Sequence, residues 1–322
     1  MAASGLDPST IFPFPLDDFQ LEAIDALNQG HSVVVSAPTG SGKTLVGEYA
    51  IHRALAHGQK VFYTTPLKAL SNQKLRDFRE AYGDDNVGLM TGDLSVNREA
   101  SIVVMTTEIF RNMLYAEASE HDDPLADVEA VVLDECHYMN DSQRGTVWEE
   151  SIIHCPPSVQ LVALSATVAN AGQLTDWIEK VHGPTTLVLS DYRPVPLQFS
   201  FCSAKGLHPL LNDAGTGLHP NCKVWRAPKG HKRKGRSAKP PQPEPPPISF
   251  VVAQMAERDM LPAIYFIFSR RGCDKAVRDL GIQCLVNKEE QARIRARLKA
   301  YSSENPEAVR DGIHADALLR GI

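Results

Sequence analysis

The sequence of 322 residues has no apolar run that reaches the roughly 18 residues of a membrane-spanning helix. Its first residues carry neither a basic stretch nor an apolar core, so a secretory signal peptide is not expected. The six cysteines form no C-x-x-C pair, and this spacing does not indicate a zinc site. We therefore expect reduced cysteines, a cytoplasmic location and no membrane partner.

The chain also lacks an overall basic character, because its formal net charge is −6. The charge is unevenly divided: residues 1–200 carry 12 Lys and Arg against 27 Asp and Glu, whereas residues 201–322 carry 21 against 12. This asymmetry indicates that contact with a polyanion, if it occurs, is helped by the C-terminal part. A single basic linker is the alternative explanation.

A glycine-rich segment between a strand and a helix gives the first functional indication. Residues 31–36 are apolar and β-branched, which predicts a buried strand, and residues 45–57 predict a helix. Between them the chain reads Ala-Pro-Thr-Gly-Ser-Gly-Lys-Thr, the context expected of a phosphate-binding P-loop. Ala37 stands where the usual pattern has its first Gly. A chance Gly- and Ser-rich loop is the alternative.

The residues of this loop match the chemistry of a nucleoside triphosphate. Gly40 and Gly42 allow the backbone to wrap around a phosphate, and the N–H groups of the helix N-terminus face the anion. Lys43 is expected to contact the β- and γ-phosphates, and the Thr44 hydroxyl to bind Mg²⁺. The predicted ATP-contacting residues of the loop are Pro38, Thr39, Gly40, Ser41, Gly42, Lys43 and Thr44.

A second apolar run, residues 130–133, predicts a strand that ends at Asp134 and Glu135. Ligands of open α/β sheets lie beyond the carboxyl ends of the strands, so both carboxylates are expected at the phosphate site. Asp134 would hold Mg²⁺, and Glu135 would orient and polarise the attacking water. A solvated acidic turn is the alternative, and His137 is either a satisfied polar residue or a contact to another motif. The candidate catalytic residues are Lys43, Asp134, Glu135 and His137.

Short apolar strands alternate with amphipathic helices over residues 12–204. This pattern predicts an α/β fold, a RecA-like P-loop NTPase domain with a parallel sheet covered by helices. Residues 1–11 are expected to form an N-terminal tail. The further predicted strands are 60–65, 87–90, 102–105, 129–133, 160–164 and 186–189, and the further helices 17–29, 67–82, 107–117 and 170–182.

The composition changes over residues 205–247, where a basic stretch precedes a polyproline run. Few apolar residues occur there, which predicts a flexible insertion that contacts RNA or a protein partner, or only keeps the chain soluble. A partial second α/β domain is expected over residues 248–322. It is predicted to contain a helix at 248–260, a buried strand at 263–268, a helix from Ser269 and a basic amphipathic helix at 288–301.

The motifs along the chain resemble those of a known family. Phe14–Gln20 resembles a Q motif, Thr65–Gln73 motif Ia, Thr91–Asp93 motif Ib and Thr106–Glu108 motif Ic. Asp134–Met139 resembles motif II of the DExH group, Ser165–Thr167 motif III and Phe268–Arg271 motif IV. The set resembles the superfamily 2 helicases. Within them it is most similar to the superkiller, or antiviral-helicase, branch of the DExH-box RNA helicases, in particular its cyanobacterial and plastid members.

The resemblance implies further site residues. Gln20 would read adenine through its side-chain amide, and Phe14, or alternatively Phe12, would stack on the base. Ser165 and Thr167 would couple the nucleotide state to the grip on RNA. The residues that would lie along the backbone of single-stranded or partly duplex RNA are Pro66, Lys68, Gly92 and Thr107. For Thr106 and Thr107, a helix N-cap with Glu108 is the alternative.

In that family, ATP lies between two RecA-like domains, and the second supplies motif V and the arginines of motif VI. Residues 248–322 contain neither motif. We therefore expect a truncated chain that binds ATP–Mg²⁺, hydrolyses it weakly and does not unwind duplexes. The leading hypothesis is an ATP-dependent RNA helicase of RNA processing or decay. A DNA helicase of the same superfamily and a catalytically inactive RNA-binding scaffold are the alternatives.

Overall fold

The computed structural model describes residues 5–116, 125–141, 144–222, 245–304 and 315–322. The chain divides into two compact units, Met1–Pro196 and Leu197–Ile322. No helix within the described ranges is long and apolar enough to cross a membrane.

The described residues of the first unit form an eight-stranded sheet with helices on both faces. The strands are β1 (Ser32–Ser36), β2 (Lys60–Thr65), β3 (Val87–Met90), β4 (Ser95–Val96), β5 (Ile102–Thr106), β6 (Val128–Leu133), β7 (Gln160–Ser165) and β8 (Thr185–Leu189). The helices are α1 (Pro8–Ile11), α2 (Asp18–Asn28), α3 (Thr44–Ala56), α4 (Lys68–Tyr82), α5 (Thr107–Ala116), α6 (Gly145–His154) and α7 (Ala171–Val181). The strand order is β4-β3-β5-β2-β6-β7-β1-β8, and only the β3–β4 pair is antiparallel.

Two apolar cores cover the two faces of this sheet. Because side chains alternate along a strand, Val33 and Val35 of β1 enter one core and Val34 enters the other. The first core is closed by α2, α3 and α4, and the second by α5, α6 and α7. A sheet buried on both faces requires strands that are apolar throughout, as these are. The predicted α/β fold is confirmed.

The predicted elements of the first unit agree with the structure to within one residue at each end. Three elements were not predicted, namely β4, α6 and α1. The last of these lies in the expected N-terminal tail, where the Asp7 carboxylate accepts a hydrogen bond from the Ser9 N–H at 2.9 Å and caps the helix. A short helix of this kind is specified by its cap rather than by apolar periodicity, so a search for periodicity misses it.

The second unit differs from the prediction at its start. Its first elements form an antiparallel hairpin, β9 (Ser200–Ser203) and β10 (Gly206–Pro209). The division between the units falls at Pro196 and Leu197 rather than after residue 204, and the segment expected as a flexible insertion begins with a strand. Gly206, at φ +118°, adopts the backbone conformation that allows the tight turn. The basic and polyproline stretches fall within residues 223–244, outside the described residues.

The helices in the described residues of this unit are α8 (Ile248–Ala256), α9 (Arg270–Asp279), α10 (Lys288–Glu304) and α11 (Ala315–Leu318). The prediction of a buried strand at residues 263–268 is wrong. Ile264, Phe266 and Phe268 are exposed by 81%, 83% and 108%, and no strand forms there. A strand needs neighbours for its backbone hydrogen bonds. In the described part of the unit, the only strands pair with each other.

Candidate active site

The predicted site residues meet at the carboxyl edge of the sheet. The P-loop follows β1, Asp134 and Glu135 follow β6, and Ser165 ends β7. These three strands are neighbours in the order β6-β7-β1. Parallel pairing therefore brings together segments that are about a hundred residues apart in the chain.

The P-loop has the geometry of an anion cradle. Gly40 and Gly42 lie at φ +86° and +84°, which turns the backbone sharply before α3 begins. Lys43 is buried, and the Ser41 hydroxyl is buried without a hydrogen-bond partner among the described residues. Buried polar groups are normally hydrogen-bonded, so the unpaired Ser41 hydroxyl fits a loop whose bound ligand would supply the missing hydrogen bond. The loop lies against a cavity of about 440 Å³ that Asp134 also lines.

The two carboxylates are held differently. Asp134 accepts a hydrogen bond from the Tyr63 hydroxyl at Oδ2, at 2.8 Å, and one from the Glu135 N–H at Oδ1, at 2.9 Å. Burial, and next the charge of Asp134, raises the pKa of Tyr63 well above its usual value, so its hydroxyl keeps the proton that it donates. Glu135 has a left-handed backbone at φ +53°, a conformation that costs on the order of 1 kcal/mol. Such strain is typical of functional turns.

His137 connects the carboxylate turn to the segment after β7. Its Nδ1 lies 3.3 Å from Oε2 of Glu135 and 3.5 Å from the donating N–H of Ala166. A role for His137 as a contact between the ATP site and another motif stays a prediction. Ser165 is buried, and its carbonyl accepts a hydrogen bond from the Ala37 N–H at 3.2 Å, whereas Thr167 is exposed. The P-loop, the carboxylate turn and this third segment are therefore joined by hydrogen bonds.

The residues predicted to contact adenine occupy two different environments. The Gln20 side chain is buried, where it accepts from the Asp17 N–H at 2.9 Å and donates to the Gly42 carbonyl at 3.0 Å. It thus ties the start of α2 to the P-loop, and adenine recognition by Gln20 stays a prediction. Phe12 is buried and Phe14 is 52% exposed, so Phe14 is the ring that is available for stacking.

The predicted nucleic-acid residues follow the neighbouring strands β2, β5 and β3. Lys68 and Gly92 are exposed, and Lys68 pairs with Asp93. Pro66 and Thr107 are buried, and the Thr107 hydroxyl donates to the carbonyl of the residue that ends β2, at 3.2 Å. The side chain of Thr107 is therefore used to join two loops. Contact of these residues with nucleic acid stays a prediction.

Sequence reasoning missed Tyr63, Lys74 and Arg144. Lys74 lies on α4, lines the same cavity as the P-loop, and has its ammonium 5.3 Å from the centre of the Tyr63 ring. Arg144 donates to the Pro66 carbonyl at 2.6 Å. Each of these contacts joins residues of two different structural elements, so none is visible in a local stretch of sequence. Strand pairing alone would have placed Tyr63 beside β6, but the direction of its hydroxyl needs the packed structure.

Comparison with protein families agrees with this geometry. Residues 17–174 match the model described as DEAD/DEAH box helicase, a range that includes the P-loop, both carboxylates and Ser165. This part of the chain is a DEAD/DEAH box helicase domain. The predicted resemblance to DExH-box helicases is confirmed, and the eight-stranded sheet of the first unit is the framework of the helicase domain.

The chain as a whole is similar to longer proteins. It is 44% identical to the chloroplastic DExH-box ATP-dependent RNA helicase DExH15 of Arabidopsis thaliana, over 97% of this chain and 30% of that protein. It is 45% identical to the probable helicase HelY of Mycobacterium tuberculosis, over 88% of this chain and 32% of that one. It is 47% identical to the antiviral helicase SKI2 of Saccharomyces cerevisiae, over 67% of this chain and 16% of that protein. The chain spans about a third or less of the length of these relatives.

Proposed function

We propose that this chain binds ATP with Mg²⁺ and is the nucleotide-binding part of an ATP-dependent RNA helicase of RNA processing or decay. The observation that carries the proposal is the cavity shared by Lys43, Asp134 and Glu135. A cation from the P-loop and two carboxylates from the turn after β6 are the groups that phosphoryl transfer to water needs. The relatives' names as RNA helicases support RNA as the polymer.

Thr44 and Asp134 fit Mg²⁺. In the part of the chain that the structure describes, no cluster of three or more His, Cys, Asp or Glu side chains could hold a metal alone. Mg²⁺ at nucleotide sites uses one or two protein ligands together with phosphate oxygens and waters. When bound, it neutralises the developing phosphate charge. The Tyr63 hydroxyl holds the Asp134 carboxylate in place. Glu135 orients and activates the attacking water.

We propose that the chain alone hydrolyses ATP weakly and does not unwind duplexes, because residues 248–322 contain no counterpart of the arginines of motif VI. An arginine that reaches the phosphoryl group is worth about 10³- to 10⁵-fold in rate. Single-stranded or partly duplex RNA is the proposed polymer ligand. A protein partner for the Pro-rich segment is a further proposal, supported by its composition alone.

The experiment that tests this function measures binding of a fluorescent ATP analogue and ATP turnover, without polymer and with single-stranded RNA or DNA of the same sequence. We expect Mg²⁺-dependent binding and slow turnover, with greater stimulation by RNA than by DNA. Equal stimulation by both would support the DNA-helicase alternative. Binding without any turnover would support the inactive scaffold, and duplex unwinding by the chain alone would contradict the weak-motor proposal.

Replacing Tyr63 with phenylalanine is expected to raise, by about tenfold, the Mg²⁺ concentration that nucleotide binding requires. The variant keeps the buried ring but removes the hydroxyl that orients Asp134. Loss of such an outer partner typically costs 10- to 100-fold in metal affinity. The measurement is a Mg²⁺ titration of analogue binding.

Tyr49→Phe is the matched control for this experiment. Tyr49 is also fully buried in the first core, but its hydroxyl bonds to Leu6 and Asn28, away from the cavity. The control should leave the Mg²⁺ midpoint unchanged. Equal midpoints for Tyr63→Phe and the unmodified chain would show that Tyr63 does not orient the metal ligand.

A further inference from the structure

One arginine joins three segments of the helicase domain. Arg144 precedes α6, and its guanidinium donates to the carbonyl of Pro66, at 2.6 Å, and pairs with the carboxylate of Glu108. Pro66 follows β2, and Glu108 lies in the first turn of α5. The side chain therefore connects the segments after β2 and β5, which hold Pro66, Lys68 and Thr107 of the predicted nucleic-acid residues.

The backbone of Arg144 is fixed to the carboxylate turn. Its N–H donates to Oδ1 of Asp141 at 3.1 Å, and the Gly145 N–H donates to the carbonyl of Asp141 at 2.8 Å. A Cβ on Gly145 would lie 2.2 Å from the carbonyl oxygen of Met139, so α6 begins in direct contact with this turn. The same turn starts at Glu135. Covalent bonds and hydrogen bonds within this turn therefore link Glu135, the candidate water-activating residue, to Arg144.

We propose that Arg144 is a positioning residue that sets the separation of the loops after β2 and β5 and transmits the nucleotide state of the carboxylate turn to their grip on RNA. This inference rests on the proposed function, because it assumes that these loops contact RNA. Contacts to a nucleic-acid backbone hold the strand through geometry rather than through base identity. A small change in loop separation therefore changes affinity without changing sequence preference.

The chemistry of the side chain fits this role better than a role in folding. Arginine presents a planar fork of donors, so one guanidinium can hold a carbonyl and a carboxylate in a fixed relation, which a lysine ammonium does less well. The Arg144 and Glu108 side chains are each 33% exposed, and ion pairs with that exposure contribute little to stability. The hydrogen bond from the Thr107 hydroxyl to the Thr65 carbonyl also joins the end of β2 to the start of α5, and it does not involve Arg144.

The test compares Arg144→Ala and Arg144→Lys with Arg111→Ala. Arg111 is a matched control because it also joins α5 to α6, through Glu150 at 3.5 Å, and has a similar exposure of 29%. The measurements are the Kd for single-stranded RNA by fluorescence anisotropy, with and without a non-hydrolysable ATP analogue, the Kd for the analogue alone, and Tm.

We expect Arg144→Ala to raise the Kd for RNA about tenfold, which corresponds to about 1.4 kcal/mol. The analogue should then change RNA affinity by less than about twofold, since the link between the two sites is lost. Analogue affinity without RNA and Tm should stay close to those of the unmodified chain. Arg144→Lys should recover part of the RNA affinity, and Arg111→Ala should change nothing.

Two results would overturn the proposal. One is an Arg144→Ala variant that binds RNA as Arg111→Ala does. The other is a fall in Tm with equal losses in nucleotide and RNA affinity, which indicates an ordinary structural role.

Hydrogen exchange separates failure of this inference from failure of the proposed function. Backbone amides of residues 67–70 and 107–110 should exchange faster in Arg144→Ala than in the unmodified chain, without any RNA present. If the unmodified chain does not bind RNA, the proposed function fails, and faster exchange still supports the positioning role. Unchanged exchange in these two segments would contradict the positioning role whatever the outcome with RNA.

Discussion

Glu135→Gln is expected to reduce ATP turnover by the chain about 10²-fold or more and to leave nucleotide affinity unchanged. A positioned general base contributes about 10²- to 10⁴-fold, and glutamine keeps the shape of glutamate but cannot accept a proton from water. In the structure, Oε2 of Glu135 is buried and makes no hydrogen bond among the described residues, although Nδ1 of His137 lies 3.3 Å away. The residue lines the P-loop cavity, so this carboxylate is available to a water beside the phosphates.

The measurement is single-turnover hydrolysis of labelled ATP at high protein concentration, because turnover by the unmodified chain is expected to be slow. Glu80→Gln is the control, since Glu80 is an exposed carboxylate on α4 and does not line the P-loop cavity. The variant and the control should have the same Kd for a fluorescent ATP analogue. If Glu135→Gln hydrolyses ATP as fast as the Glu80 control does, another group activates the water.

Lys43→Ala is expected to lower the affinity for ATP by about 10- to 100-fold. A hydrogen bond from a charged donor is worth about 1.5–3 kcal/mol, and Lys43 is buried against the cavity where such a bond is little screened by solvent. The glycines that form the backbone turn, Gly40 and Gly42, are unchanged in the variant. The loss of ATP affinity therefore measures the contribution of the Lys43 ammonium rather than the shape of the loop.

Isothermal titration calorimetry with an ATP analogue and Mg²⁺ measures this loss directly. Lys60→Ala is the control, because Lys60 begins β2 at the opposite edge of the sheet and pairs with the exposed Glu99. Undiminished ATP affinity in Lys43→Ala would show that the phosphates bind elsewhere. Together, the Lys43 and Glu135 variants assign nucleotide binding and hydrolysis to two different side chains.

Local sequence was sufficient wherever an element is specified by its own residues. The strands of the first unit are short apolar runs, and a parallel sheet buried on both faces requires runs of that kind. The P-loop and the pair Asp134–Glu135 were recognisable because each follows such a strand. Parallel pairing of β6, β7 and β1 then places them at one edge, as predicted.

Sequence reasoning failed where an element depends on partners. The apolar segment at residues 263–268 has the composition of a buried strand, but no strand lies beside it among the described residues, and it stays exposed. Conversely, the segment after residue 204 looked like a linker, but β10 pairs with β9. Composition measures the tendency to form a strand, whereas hydrogen bonds from a neighbour decide whether one forms.

The sequence by itself determined the phosphate cradle, the two carboxylates after β6 and the alternating pattern of the helicase domain. These features are encoded by residues that are adjacent in the chain, so their chemistry can be recognised without a fold. Only the tertiary structure decided that Gln20 holds the P-loop, that Tyr63 orients Asp134, and that Arg144 joins the loops after β2 and β5. Each of these contacts depends on the direction of a side chain across packed elements, and that direction follows from the packing of the whole domain.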